Sequence, residues 1–345
     1  MKDISVSYVS NFPIKGDSPK LSLRRSGTFH YYFVDNDTNE LIFSGVSTGN
    51  ETIIGARQWF TNWAISVEND DNEIIFVDFF NAENKTVFIK MDAYALGDNI
   101  AWIPYIEEFR KKHKCNIICS TFWNFLFEQT YPDILFVKPN TEVKNVYAQF
   151  YIGATKDGLN TKYCPITTIN NPLQMIASIS LGLEHEEIRP IISRPENLKN
   201  NFNSKYVCIS EFASSETKMW KEKNGWQTIV DFLNSNGYKV VVISKEPTAL
   251  KNIINKSGDY HINDRINDLV FCEFFMGVSS GLSWLAWGLN KEVVMISDYT
   301  PHYHEFENIR LGQNKRESIN YESPKITSKK EVIDKLNSFF KKHNQ

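Results

Sequence analysis

The sequence predicts an α/β chain with two Rossmann-like lobes facing a central cleft, preceded by a β-rich domain. Three observations predict it. From about Thr28 to Lys90, short β-type runs alternate with Asn/Asp-rich turns. Beyond that point apolar strand-like runs interleave with helical segments, the signature of doubly wound sheets. This alternation occurs twice, on either side of a Pro-, Asn-, Lys- and Glu-rich stretch from Pro190 to Lys205. The expected divisions are residues 1–85, 86–200 and 201–345.

In the first division, HYYFVDNDTNELIFSG, WAISVENDDNEIIFVDF and KTVFIKM read as strands, with turns at Asp35 to Asn39 and Glu68 to Asn72. They suggest a small antiparallel domain. Thr86 to Met91 is then a strand, and the turn Ala95 to Asp98 leads into a helix from Ile100 to Lys112, which Pro104 enters within its first turns. Asn116 to Ser120, Ile134 to Val137 and Val146 to Tyr151 are apolar enough to be buried parallel strands. The third division offers strands at Tyr206 to Ser210, Lys239 to Ser244, Phe275 to Val278 and Glu292 to Ser297. Helices are expected at Gly225 to Asn236, Thr248 to Asn255 and Leu282 to Gly288, with Gly237 as a left-handed cap. Lys329 to His343 is amphipathic, with an apolar face at Val332, Leu336 and Phe339.

Composition narrows the function. A chain of 345 residues with 42% hydrophobic residues can bury a large core. Its 38 Lys and Arg against 41 Asp and Glu leave a net charge of −3, so no global field gathers nucleic acid or anionic membrane. No apolar run approaches the roughly 18 residues of a membrane helix, and the N-terminus has no secretory h-region, so a cytoplasmic location is expected. The five cysteines (Cys115, Cys119, Cys164, Cys208, Cys272) are scattered, which suits reduced thiols better than disulfides or a zinc site.

Three segments can carry chemistry. In AYALGDNIAWIP, residues 93–104, Gly97 permits a tight turn, and Asp98 sits beside a helix N-terminus as an N-cap, a general base, or both. In EFASSETKMWKEKNGWQ, residues 211–227, Lys218, Lys221 and Lys223 lie among Trp220 and Trp226. A lysine at a strand's C-terminal edge can neutralise a diphosphate, although the cluster also reads as a solvated surface and the tryptophans as an interlobe seam. In FFMGVSSGLSWLAWGL, residues 274–289, Ser279, Ser280 and Gly281 leave backbone amides at a helix N-terminus, which makes either a diphosphate cradle or a plain tight turn. It has no Walker lysine, and there is no GxGxxG, GxSxG or HExxH anywhere. Asp35 and Asp37 read as hairpin-turn residues, and His302 and His304 as part of a structured loop lining the cleft.

Together, ALGDNIAWIPYIEEFRKKH, VCISEFASSETKMWKEKNGWQTIVDFL, GYKVVVISKEP and EFFMGVSSGLSWLAWGLNKEVVMISDYTPHYHEF resemble the bacterial autotransporter heptosyltransferases, which are distant relatives of the lipopolysaccharide heptosyltransferases. The resemblance runs over nearly the whole chain. It implies the GT-B fold, with acceptor on the N-terminal lobe and nucleotide sugar on the C-terminal lobe. It also implies inverting transfer of heptose from ADP-heptose to serine hydroxyls of autotransporter passenger domains. Under this resemblance Asp98 is the catalytic base, Lys218 holds the diphosphate, and Glu246 meets the nucleoside. Ser279, Ser280, Gly281 and Leu282 surround the donor phosphates and sugar. Asn99, Trp102, Trp284 and His304 are further cleft-lining candidates. Lys218 and the helix N-terminus would neutralise the leaving ADP, so no metal or other cofactor is implied for the transfer.

Two departures bear on these implications. The lipopolysaccharide relatives usually carry an acidic residue and a histidine where this chain has Ser279 and Trp284, which leaves the donor sugar open. Characterised relatives bind iron through a C-terminal cysteine cluster that supports a ring assembly; here no cysteine follows Cys272, so iron is not carried over and homo-oligomerisation stays open. Another nucleotide sugar with a glycan or a hydroxymethylated DNA base as acceptor is the first alternative; the KKHK run at 111–114 and the lysines at 218–223 would serve a DNA acceptor. The second is a non-catalytic nucleotide-binding protein of the same fold.

Overall fold

The computed structural model describes residues 3–9, 18–55, 57–91, 93–153, 166, 171–296, 306, 309–311 and 326–343. The N-terminal part is a five-stranded antiparallel sheet: β1 (Ile4–Ser7), β2 (Lys20–Asp35), β3 (Glu40–Ile54), β4 (Trp63–Glu68) and β5 (Ile74–Phe79). Alternate residues of these strands point inward, as the period of two requires: Phe29, Tyr31 and Phe33 on β2, and Trp63, Ile65 and Val67 on β4, are all buried. Asn39 and Asn72 adopt positive φ in the two turns expected between Asp35 and Asn39 and between Glu68 and Asn72. The Asp35 carboxylate accepts the Asp37 amide at 3.1 Å, so this Asp pair does turn chemistry.

The second sheet is parallel, in the order β8 (Ile134–Val137), β7 (Asn116–Thr121), β6 (Thr86–Met91), β9 (Ala148–Tyr151). An aromatic cluster fastens it to the first sheet: Phe60 and Phe80 contact His113 and Phe150, and Tyr8 contacts Phe80 and Tyr147. Helix α1 (Leu96–His113) follows β6 and buries Trp102, Tyr105, Ile106 and Phe109. It starts four residues before the expected Ile100, so Pro104 lies in its interior rather than its first turns. Helix α2 (Leu173–Ser180) packs on α1 through a hydrogen bond from the Trp102 indole to the Leu173 carbonyl at 3.0 Å.

The third sheet is also parallel. Its order is β12 (Ile254–Asn255), β11 (Lys239–Val242), β10 (Tyr206–Ser210), β13 (Phe275–Val278), β14 (Val293–Ile296), β15 (Ile309–Leu311). This is the Rossmann order, three strands running outward from β10 and three more on its other side. Strands β10, β13 and β14 are buried at every position, which explains their unbroken apolar sequences. Helix α3 (Gly225–Ser235) ends with Gly237 at φ 83°, as a left-handed cap needs. With α6 (Lys329–His343) it covers one face, where Val332, Leu336 and Phe339 are buried as their spacing predicts. The opposite face carries α5 (Gly281–Gly288), which packs on α1 of the preceding lobe.

The helix expected from Thr248 to Asn255 does not form. Residues 248–253 are irregular, and the next helix is α4 (Ile262–Phe271). Pro247 precedes the irregular segment, Asn252 has φ 58°, and α3 side chains satisfy its backbone: Gln227 accepts the Lys251 amide, and Asn234 donates to the Asn252 carbonyl. No helix among the described residues is long and apolar enough to cross a membrane. Cys115, Cys119, Cys208 and Cys272 are buried free thiols, and among the described residues no His/Cys/Asp/Glu group is arranged to hold a metal.

Candidate active site

Open parallel sheets bind ligands outside the carboxyl ends of their strands, where the strand order reverses. In the second sheet that point lies between β6 and β9, and in the third between β10 and β13. The segments leaving these strands are residues 93–98 after β6, 211–218 after β10 and 279–281 after β13. All three chemistry-bearing motifs of the sequence therefore sit at switch points. Helices α1 and α5 bring the points together.

Their contact depends on two glycines. A Cβ on Gly97 would stand 3.0 Å from Trp284 Cδ1, and one on Gly281 would stand 3.1 Å from Leu96 Cβ. Gly97 lies within α1 and is not among the positive-φ glycines, so it serves close approach rather than the tight turn expected of it. Two helix N-termini thus converge on one spot. Their unpaired first-turn amides and positive dipole ends favour an anion there.

Asp98 occupies the first turn of α1, and Ala95 takes the N-cap place without a side-chain bond. The Asp98 side chain is half-buried. Burial raises its pKa from 3.8 to about 6, against an opposing pull from the Lys218 ammonium. At neutral pH it is a carboxylate of raised basicity, suited to accept a proton. Lys218 ends a 3-10 turn, Glu216–Lys218, in the loop after β10. A base on one lobe therefore feels a cation on the other.

Ser280 is the N-cap of α5, and its hydroxyl makes no cap bond to the helix backbone. Its carbonyl accepts the amides of Ser283 and Trp284 at 3.1 and 3.3 Å, which leaves those of Gly281 and Leu282 without intrahelical acceptors. Gly281 and Leu282 are themselves half-buried, whereas Ser279 is 1% exposed and lies below the rim. Glu246 is exposed on the loop after β11.

A further acid, absent from the sequence-derived candidates, is Glu211, directly after β10. Its buried carboxylate accepts the Thr248 hydroxyl at 3.1 and 3.2 Å, and its amide donates to Ser244 Oγ at 3.2 Å. Burial raises its pKa. The signal that could have found it is an acidic residue standing at the end of an apolar strand.

Three cleft-lining candidates stand behind the wall rather than in it. Asn99 is fully buried: its amide donates to the Ala93 and Ala95 carbonyls at 2.7 and 2.8 Å, and its carbonyl accepts from Thr121 at 2.5 Å. It ties the segment before Asp98 to the end of β7. Trp102 is likewise fully buried, held by Leu173. Trp284 is 2% exposed and packs between Gly97, Trp287 and Phe306, forming the interlobe seam. Trp220 and Trp226 are not that seam; they pack together beneath α6, with the Trp220 indole donating to the Thr327 carbonyl at 2.7 Å. Lys221 and Lys223 are both exposed at the surface, and His304 lies outside the described residues. A cavity of about 290 Å³, lined by Asp37, Phe60 and His113, lies at the opposite end of α1 from Asp98 and takes no part in this arrangement.

No family model matches the chain. Among characterised sequences it is 29% identical over 293 residues to the autotransporter heptosyltransferase Aah of Escherichia coli, covering 81% of this chain and 74% of that protein. It is 27% identical over 270 residues to BimC of Burkholderia thailandensis, described as an inactive autotransporter heptosyltransferase, covering 75% of this chain and 63% of BimC. Its fold matches the crystal structure of TibC, a dodecameric iron-containing heptosyltransferase in complex with ADP-D-beta-D-heptose, with a TM-score of 0.84 at 21% identity. That match covers 98% of this chain and 96% of TibC.

Proposed function

We propose that this chain, which is similar to the autotransporter heptosyltransferases and has the GT-B glycosyltransferase fold, acts as one of them and transfers a heptose from ADP-heptose to a serine hydroxyl of an autotransporter passenger, with inversion. The observation that carries this reading is Asp98: a carboxylate of raised basicity at one switch point, under the field of Lys218 from the other lobe. In the reaction the acceptor oxygen attacks the anomeric carbon while the bond from that carbon to the β-phosphate oxygen breaks. Asp98 takes the hydroxyl proton, and ADP leaves with the electron pair.

Lys218 and the α5 amides of Gly281 and Leu282 face the developing diphosphate charge, so the transfer proceeds without a divalent metal. Ser280 borders the donor phosphates and sugar with the buried Ser279 beneath it, and Glu246 and the Glu211–Thr248 pair flank the nucleoside. The buried free thiols fit a reducing compartment, and the enzyme acts in the cytoplasm before its acceptor is exported. Assembly into a homo-oligomer is consistent with the dodecameric TibC.

The test is a thermal-shift series with ADP-heptose, other ADP-sugars, UDP-sugars and GDP-sugars, followed by incubation with a serine-rich passenger fragment. Ligand at a hundred times its Kd stabilises the folded state by about 2.7 kcal/mol. ADP-heptose should give the largest shift, and the fragment should gain the mass of heptose. A larger response to a UDP- or GDP-sugar refutes the donor. A second reading, binding without turnover, follows from the likeness to BimC; donor protection with neither transfer nor donor hydrolysis would establish it.

A further inference from the structure

Most large apolar side chains of the second and third sheets are buried, but a group of aromatic residues at the mouth of the cleft is not. Tyr94 is 73% exposed, Phe122 44% and Phe125 42%. They form one continuous surface. Tyr94 lies 5.3 Å from Phe122 and 5.8 Å from Trp123 between ring centroids, and Trp123 lies 6.2 Å from Phe125. Phe125 then reaches His261 of the other lobe at 6.1 Å.

The surface is also held in place. The Trp123 indole donates to the Tyr94 carbonyl at 3.1 Å, and the Trp123 amide donates to Thr121 Oγ1, the hydroxyl that bonds Asn99. Asn99 in turn fixes the carbonyls on both sides of Tyr94. The same hydrogen-bond chain that sets the segment before Asp98 therefore sets these rings.

We propose that the aromatic shelf of Tyr94, Phe122, Trp123 and Phe125 binds the acceptor, and that its occupant is an uncharged, extended polypeptide segment that delivers a serine hydroxyl to Asp98. This rests on the heptosyl-transfer reading above. The shelf begins four positions before Asp98 on the segment that enters α1, which puts it on the same lobe and the same strand-to-helix connection as the base. Exposed rings of this kind offer large contact area at low entropy cost, and they stack on peptide planes and small side chains. Charge selects the class. Residues 93–95, 121–127 and 258–264 contain no Lys or Arg, while 258–264 contain Asp259 and Asp264. Lys245 is paired to Asp259 at 3.3 Å. The segments that build the shelf thus offer a phosphate backbone no cation of their own, which disfavours a DNA acceptor there.

The experiment measures transfer from ADP-heptose to a purified serine-rich autotransporter passenger fragment, with wild type and the single variants Tyr94→Ala and Phe125→Ala. Truncating a central aromatic contact weakens binding by about ten-fold. Each variant should raise the KM for the fragment roughly ten-fold, with the Kd for ADP-heptose, read by thermal shift, within about two-fold of wild type. Both residues are exposed, so the variants keep the fold, and the donor titration checks this directly.

Unchanged acceptor KM in both variants, with wild type active on the fragment, overturns the shelf and leaves the transfer reading standing. A parallel loss of donor affinity overturns it too, by assigning the rings to the donor site. Wild type inactive on the fragment but active on an oligosaccharide or hydroxymethylated DNA refutes the transfer reading, and the polypeptide occupant with it.

Discussion

Replacing Asp98 with asparagine should make the protein less active and more stable, with both effects set by the same pKa. A carboxyl raised from 3.8 to about 6 is half ionised near pH 6 in the folded free enzyme, so kcat/KM for the wild type should fall about ten-fold between pH 7 and pH 5. An unshifted aspartate would leave that interval nearly flat. The carboxamide of the Asp98→Asn variant cannot accept the proton, and the loss of a positioned base costs about 10²- to 10⁴-fold in kcat.

The stability effect runs the other way. The folded pKa lies above the unfolded one, so the native state binds the extra proton between about pH 4 and pH 6, and the ionised group weakens the fold above that window. The full difference corresponds to about 3 kcal/mol, and partial solvent screening reduces it to roughly 1–2 kcal/mol. Asp98→Asn should therefore gain about that much in urea unfolding at pH 8 and nothing near pH 4, where the wild-type carboxyl is already neutral. Wild-type turnover in Asp98→Asn, or a wild-type rate that is level down to pH 5, would refute the assignment of the base.

Lys218→Met should weaken ADP-heptose binding about 10- to 100-fold, from the loss of charge-assisted contacts to the diphosphate, as read by donor titration. It should also move the acid limb of the pH–rate profile upward, because the cation that pulls the Asp98 pKa down is gone; the wild-type rate should be indifferent to chelators. Asn99→Ala removes the side-chain donor to the Ala93 and Ala95 carbonyls and the acceptor of the buried Thr121 hydroxyl, so it should destabilise the fold by about 2 kcal/mol in urea unfolding. It should lower kcat as well while leaving donor affinity intact, because its partners all lie on the lobe that carries Asp98.

Strands buried on both faces, such as VCIS and FMGV, announce themselves as unbroken apolar runs, which is why the four central strands of the third sheet were legible, whereas its short edge strands β12 and β15 were not. Nor was helix α4. Its Asn263, Asp264, Asn267 and Asp268 are poor helix formers, and what holds it is tertiary: Arg265 donates to the Lys256 and Gly258 carbonyls, and Ile266 and Leu269 are fully buried. The start of α1 was hidden for a related reason. Ala-Leu-Gly-Asp reads locally as a turn, and only the approach of α5 requires a glycine inside the helix there. At the site, Asp98 and the SSG turn could be picked out from their place after strands. Asn99 looked like a cleft residue because nothing local shows that its amide is consumed by Ala93, Ala95 and Thr121.

The division of chemistry between the lobes explains why the seam is built from glycines. On the transfer proposed above, Asp98 has to stand where the acceptor hydroxyl meets the anomeric carbon, while Lys218 and the α5 amides have to stand on the far side of the bond that breaks. Neither lobe holds both sets, so their separation is fixed by how closely α1 and α5 approach. Gly97 against Trp284 and Gly281 against Leu96 allow backbone-to-side-chain contact with no intervening Cβ, and any larger side chain at either position would push the base away from the leaving group. Trp284 fills the seam from the C-terminal lobe and packs edge-on against Trp287 and Phe306. Its buried indole therefore sets how closely the lobes approach, and on the proposed transfer donor selectivity would fall to the half-buried groups beside it: Ser280, Leu282 and the first-turn amides.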